Sequence, residues 1–202
     1  MEGCVNAKRY IKGGNMNSRE IIQFLRLAEK LKCELRHSWT STMRQESVAE
    51  HSWRLCIFSW LLKDQLKNEY DMDKVLKMCL FHDLGEAISG DVPSFLKSNE
   101  DIKREDAAIE QIVGMLDHDS GVELKELFAE MKEQRSKEAR LFNALDKLEA
   151  VIQHNEAPID TWLPLEYELN KIYADDEVKG IAVMEDLREA VRQDTIDKIR
   201  LK

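Results

Sequence analysis

From Asn17 onward the apolar residues of this chain recur every three or four positions, and little interrupts them. Ile21, Phe24, Leu25, Ala28, Leu31 and Leu35 keep helical spacing, as do Val48, Leu55, Phe58 and Leu62. Only three prolines and eight glycines punctuate 202 residues, so few helices are forced to end early. Two capping boxes, Asn17-Ser-Arg-Glu20 and Ser47-Val-Ala-Glu50, give the first two helices defined starts. In each, the cap side chain satisfies N–H groups that a helix end leaves unpaired. Asp73 is expected to cap a third helix, with Val75, Leu76, Cys79 and Leu80 facing the core. Gly85, Gly90 and Pro93 mark its end and a loop. Helices are expected over 99–117 and 122–133, from Ser136 to His154, and over 176–199, with Pro158 and Pro164 bracketing a turn. No run alternates polar and β-branched residues, so no sheet is expected. The reading is an all-α fold in one domain over residues 17–202. A lead-in, 1–16, carries Gly13-Gly14 and little periodicity.

A hydrophobic share of 43% beside 34% charged residues supports a buried core and argues against disorder. The longest apolar run, Cys56 to Leu62, is broken by Ser59 and is too short to span a membrane. The opening MEGCVNAKRYIKGG lacks the apolar core of a secretion signal, so a cytoplasmic protein is expected. A net charge of −9 disfavours binding to a nucleic-acid polymer, which needs a basic face. It does not bar a small anion held by a metal ion and an arginine. Cys4, Cys33, Cys56 and Cys79 form no CxxC pair, and the last two lie in apolar stretches, as reduced thiols do.

Four polar residues break the apolar pattern. His51 falls on the stripe of Val48, Leu55, Phe58 and Leu62. His82 shares a face with Val75 and Cys79, and Asp83 with Leu76 and Leu80. Asp146 lies one turn from Phe142 between Leu145 and Leu148. Burying a carboxylate without a partner is costly, whereas two imidazoles and two carboxylates satisfy one another by sharing a divalent cation. That ligand set suits manganese, iron, cobalt, nickel or zinc.

The blocks Glu46-Ser-Val-Ala-Glu-His51, Phe81-His82-Asp83-Leu84-Gly85-Glu86-Ala87, Gly90-Asp91-Val92-Pro93 and Leu145-Asp146-Lys147-Leu148 carry a resemblance. In their order and spacing they resemble the HD-domain metal-dependent phosphohydrolases, and within them the 5'-deoxynucleotidase group. The resemblance implies a single helical HD domain with the metal site in its core. His51, His82, Asp83 and Asp146 would hold one divalent ion, and Glu86 and Asp91 would be catalytic. Only His118 lies between Asp83 and Asp146, where two-metal members of the superfamily place two histidines, so a dinuclear centre is not expected. His118 and His154 read as solvated residues near helix C-termini, and His37 is assigned no role.

The resemblance also implies an arginine for the phosphate and a tryptophan beside the sugar, matched here by Arg36 and Trp39. If the segment were helical, the two would stand about one turn apart. Arg44 is a second phosphate candidate, because a planar guanidinium clamps phosphate with two hydrogen bonds. The implied activity is release of phosphate from nucleoside 5'-monophosphates, chiefly 2'-deoxy forms. The alternatives are hydrolysis of a cyclic or pyrophosphorylated nucleotide, or a non-catalytic regulator that binds a metal or nucleotide. A homodimer is implied as well, and Trp53 and Trp60 are read as core or dimer surface.

Overall fold

The computed structural model describes residues 15–93 and 96–202. Nine α-helices are found among them: α1 (Ser18–Glu29), α2 (Val48–Leu66), α3 (Met72–Phe81), α4 (Glu86–Ser89), α5 (Asn99–Val113), α6 (His118–Glu133), α7 (Lys137–Glu156), α8 (Glu166–Ile172) and α9 (Ala182–Arg200). Both expected capping boxes are formed, with Asn17 accepting from Arg19 and Glu20 and Ser47 accepting from Glu50. The third helix is capped by Asp71 rather than Asp73, through the Lys74 N–H. The sixth starts at His118 because Asp117 caps it, so His118 is exposed at a helix N-terminus, opposite to the end expected. The last helix begins at Ala182, after Gly180 turns the chain with a left-handed φ of 82°. The short helix α8 fills part of the stretch ahead of it, beyond the turn bracketed by Pro158 and Pro164, where no element was expected.

A small sheet corrects the expectation of none. The first helix ends at Glu29 and passes through one tight turn, Lys30–Lys32, into β1 (Leu35–Trp39), which pairs antiparallel with β2 (Gln45–Ser47). Leu35 therefore leaves the helical stripe and is exposed. Leu35 faces Ser47 and Trp39 faces Gln45, so four steps along β1 meet two along β2. Such a bulge re-aims side chains and hides the alternation by which a strand is recognised.

Helix α7 is the hub and packs on α2, α3, α6, α9 and β1. Its buried face includes Leu141, Leu145 and Leu148, which meet Val48, Leu55, Val75 and Met78 in one core. Leu80, expected inside, is exposed. So are Trp53 and Trp60, which removes their reading as core. Cys33 is exposed, Cys79 buried, and both are free thiols with Cys56; Cys4 and the Gly13-Gly14 lead-in lie outside the described residues. No helix among the described residues is long and apolar enough to cross a membrane.

Candidate metal centre and adjoining cavity

The three helices that pack most closely around the core deliver the four unusual polar side chains to one corner. His51 is fully buried on α2, where the stripe residues Val48, Leu55 and Leu62 are buried beside it. Its Nδ1 donates to Glu149 Oε2 (2.5 Å), which leaves Nε2 facing Asp146 Oδ1 at 3.0 Å. His82 closes the C-terminus of α3, and its Nδ1 lies 3.0 Å from the Cys79 carbonyl, an acceptor only. That bond places a proton on Nδ1 and turns Nε2 towards the corner. Nε2 is 2.9 Å from Asp83 Oδ2 and 3.8 Å from Asp146 Oδ1, yet it is buried without a hydrogen-bond partner. A buried, unpartnered imidazole nitrogen turned towards two carboxylates has the chemistry of a cation ligand, so the four residues fit a divalent ion. The donor set is two nitrogens and two carboxylates, as the periodicity implied.

Glu149 is the residue that the spacing argument passed over. It lies three positions after Asp146 on the same face of α7, and that spacing was its available signal. Its Oε1 accepts from Arg54 Nε (2.5 Å), so His51, Glu149 and Arg54 form a chain running away from the corner. Burial alone would raise the Glu149 pKa, but His51 and Arg54 hold it at about 2. On His51, burial and Arg36 oppose protonation, yet Glu149 and Asp146 outweigh them and push its pKa to about 10 without a metal. Asp83 and Asp146 are pulled up by burial and held down by the two histidines, with a net fall in both.

The corner opens into a polar cavity of about 180 Å³. Arg36, Asp83, Glu86, Asp91 and Asp146 form the near wall. Arg36 is half-buried, with Nη1 3.4 Å from Asp83 and Nε 3.4 Å from Glu46. These carboxylates raise its pKa against the effect of burial, so its charge is permanent. Glu86 stands first in α4, buried, with Oε2 lacking any hydrogen-bond partner. Burial, then the charges of Asp83 and Asp91, push its pKa to about 10. Asp91 is raised too, chiefly by burial. Its loop is pinned where the Asp91 N–H donates to Glu34 (3.0 Å), just after Gly90 takes a φ of 78° that a side chain would disfavour.

The far wall contains His37, His154, Glu166 and Asn170. His154 is buried there rather than solvated, and burial first, with His37 and Arg36 adding to it, drops its pKa to about 4. The bulge in β1 explains why the consecutive residues Arg36 and His37 both reach the cavity. Trp39 does not line it: the segment is a strand, not a helical turn, and its carbonyl accepts from Gln153 (2.7 Å) beside α7. Arg44 does not line it either. Both of its terminal nitrogens are taken by Glu50, at 2.8 and 2.6 Å, on the exposed start of α2. A second cavity of about 740 Å³ shares Asp83, Glu86 and Lys97 with the first and is otherwise walled largely by apolar residues of α5 and α6, such as Ile109 and Phe128.

A family model described as the HD domain matches residues 28–188. The human 5'-deoxynucleotidase HDDC2 is 34% identical over 143 residues, covering 69% of this chain and 69% of the relative. Its counterpart in Dictyostelium discoideum is 32% identical over 144 residues, covering 67% and 76%. Among solved structures, a predicted metal-dependent phosphohydrolase from Magnetospirillum magnetotacticum superposes with a TM-score of 0.76 at 25% identity, over 89% of this chain and 93% of that one.

Proposed function

Because the chain belongs to the HD-domain family, and its metal corner opens beside a half-buried arginine, we propose that it is a metal-dependent phosphohydrolase releasing phosphate from nucleoside 5'-monophosphates, 2'-deoxy forms foremost. The observation that carries this reading is the buried, unpartnered Nε2 of His82, turned with that of His51 towards Asp83 and Asp146 on the wall of a cavity that also holds Arg36. The deoxy preference is supported by the 5'-deoxynucleotidase relatives.

His51, His82, Asp83 and Asp146 would hold one divalent ion, of manganese, iron, cobalt, nickel or zinc. When bound, it supplies charge neutralisation at the phosphate and an acidified water. Arg36 binds the phosphate oxygens, and its fixed place between Glu46 and Asp83 means that little reorganisation is needed as charge builds there. Glu86 Oε2 accepts the proton of the attacking water; a carboxylate whose pKa is pushed up is a stronger base once ionised. Asp91, held by Glu34 at the same wall, returns a proton to the departing 5' oxygen of the sugar.

The protein is proposed to act in the cytoplasm as a homodimer, with no nucleic-acid polymer as partner. Trp53, Ile57, Trp60 and Leu61 form an exposed apolar stripe along α2 that a second copy would cover. Light scattering of Trp53→Glu would then report a monomer where the wild type reports a dimer. Activity is tested by phosphate release from deoxy- and ribonucleoside 5'-monophosphates, with Asp146→Ala as control. Turnover of the deoxy substrates that disappears in Asp146→Ala is expected. No release from any 5'-monophosphate by the metal-loaded protein would overturn the reading.

A further inference from the structure

The far wall of the cavity repeats the geometry of the near one. His37 on β1, His154 near the end of α7 and Glu166 at the start of α8 bring two imidazole nitrogens and one carboxylate oxygen together. His37 Nε2 is 2.9 Å from Glu166 Oε1, and His154 Nε2 is 3.6 Å from the same oxygen. At the metal corner the corresponding nitrogen-to-oxygen distances are 2.9, 3.0 and 3.8 Å. The ring centroids of His37 and His154 are 5.2 Å apart, as are those of His51 and His82. Tetrahedral ligands about 2.0–2.1 Å from a zinc ion stand roughly 3.4 Å from one another, between the two distances found here.

Orientation and charge point the same way. The second oxygen of Glu166 accepts the Leu163 N–H at 2.7 Å, which turns Oε1 to face both imidazoles. Glu166 and His154 are buried, so these are not solvated surface groups. Asp83, Glu86, Asp91, Asp146 and Glu166 line the cavity, and its three cations are all paired, Arg36 with Asp83 and Glu46, Lys97 with Glu105 and Lys147 with Glu177.

We infer that His37, His154 and Glu166 form a second divalent-metal site, of zinc type, separate from the metal corner and not part of a dinuclear centre with it. Two histidines and a glutamate leave a fourth position open towards the cavity. The ion would join β1, α7 and α8, elements brought together from distant parts of the sequence, and so clamp the strand on which Arg36 sits. This inference does not depend on the proposed activity, because its readout is binding.

The test is metal stoichiometry on the full chain, stripped with a chelator and titrated with Zn²⁺ or Co²⁺. The wild type should take up two equivalents. Asp146→Ala should keep one and still gain thermal stability with Zn²⁺, since ligand binding to the native state shifts unfolding. His37→Ala, which removes the most accessible of the three ligands, should also keep one, and Glu166→Gln should match it. Added Co²⁺ should give tetrahedral absorption bands in Asp146→Ala that His37→Ala/Asp146→Ala lacks. Saturation of the wild type at one equivalent would overturn the site, as would two equivalents retained in His37→Ala. Either result leaves the phosphate-release test untouched.

Discussion

Two buried glutamates flank the metal corner, and they behave in opposite ways. Glu149 lies behind it, between His51 and Arg54, and its pKa is held at about 2. Glu86 lies in front, on the cavity wall, with one oxygen unpaired, and its pKa is driven to about 10. Burial penalises both, so the difference comes from their neighbours. Behind the corner each carboxylate faces a cation, whereas in front Glu86 meets Asp83 and Asp91. The back of the site is electrostatically complete within the chain. The front would be completed by the proposed ion and substrate.

That contrast can be broken residue by residue. The largest effect is expected from Glu86→Gln, which removes the proton acceptor and keeps a neutral side chain of the same shape. Turnover should fall by about 10²–10⁴-fold, while the melting temperature holds or rises. A clear loss of stability would mean that Glu86 is paired after all. Glu149→Ala should do the reverse. It strands a buried histidine and costs about 3–5 kcal/mol, roughly 10 °C for a chain of this size, measured by thermal denaturation with the metal removed.

A smaller effect is expected from pH. In the metal-free protein both Glu86 and His51 have folded pKa values of about 10, above their ordinary 4.5 and 6.5. Each binds protons more tightly in the native state, so its stabilising share is full below the ordinary value and is lost as pH climbs towards 10. The melting temperature of the stripped protein should therefore fall from about pH 6 to pH 9. With metal bound, the fall should be reduced or reversed, because the ion displaces the proton from His51. Identical profiles with and without metal would remove the contrast between front and back. The smallest effect belongs to Arg44→Ala. Its pair with Glu50 is exposed, and such pairs add little, so neither the melting temperature nor KM should move measurably. A raised KM would return Arg44 to the substrate.

Legibility followed the regularity of the elements. His51, His82, Asp83 and Asp146 stand on or beside long helices whose apolar period exposes any polar intruder, so their convergence could be read before any coordinates. Glu149 obeyed the same period but was masked by the attention Asp146 drew one turn earlier. The segment from Leu35 to Ser47 could not be read, because a bulged pair of three to five residues offers no alternation. Trp39 and Arg44 were misplaced with it. His154 was misread for a different reason: it lies near a helix end, but Pro158 turns the chain so that Trp162 and α8 fold back over that end.

The distance along the chain between His51 and Asp146, 95 residues, has a consequence for how the protein matures. Asp146 is the last of the four to be synthesised, so the proposed ligand set is complete only once α7 has emerged and docked on α2 and α3. Until then the two histidines and Asp83 belong to a partial helical bundle that lacks its hub. Uptake of the proposed ion would thus follow the docking of α7, because binding needs ligands that only the folded bundle brings together.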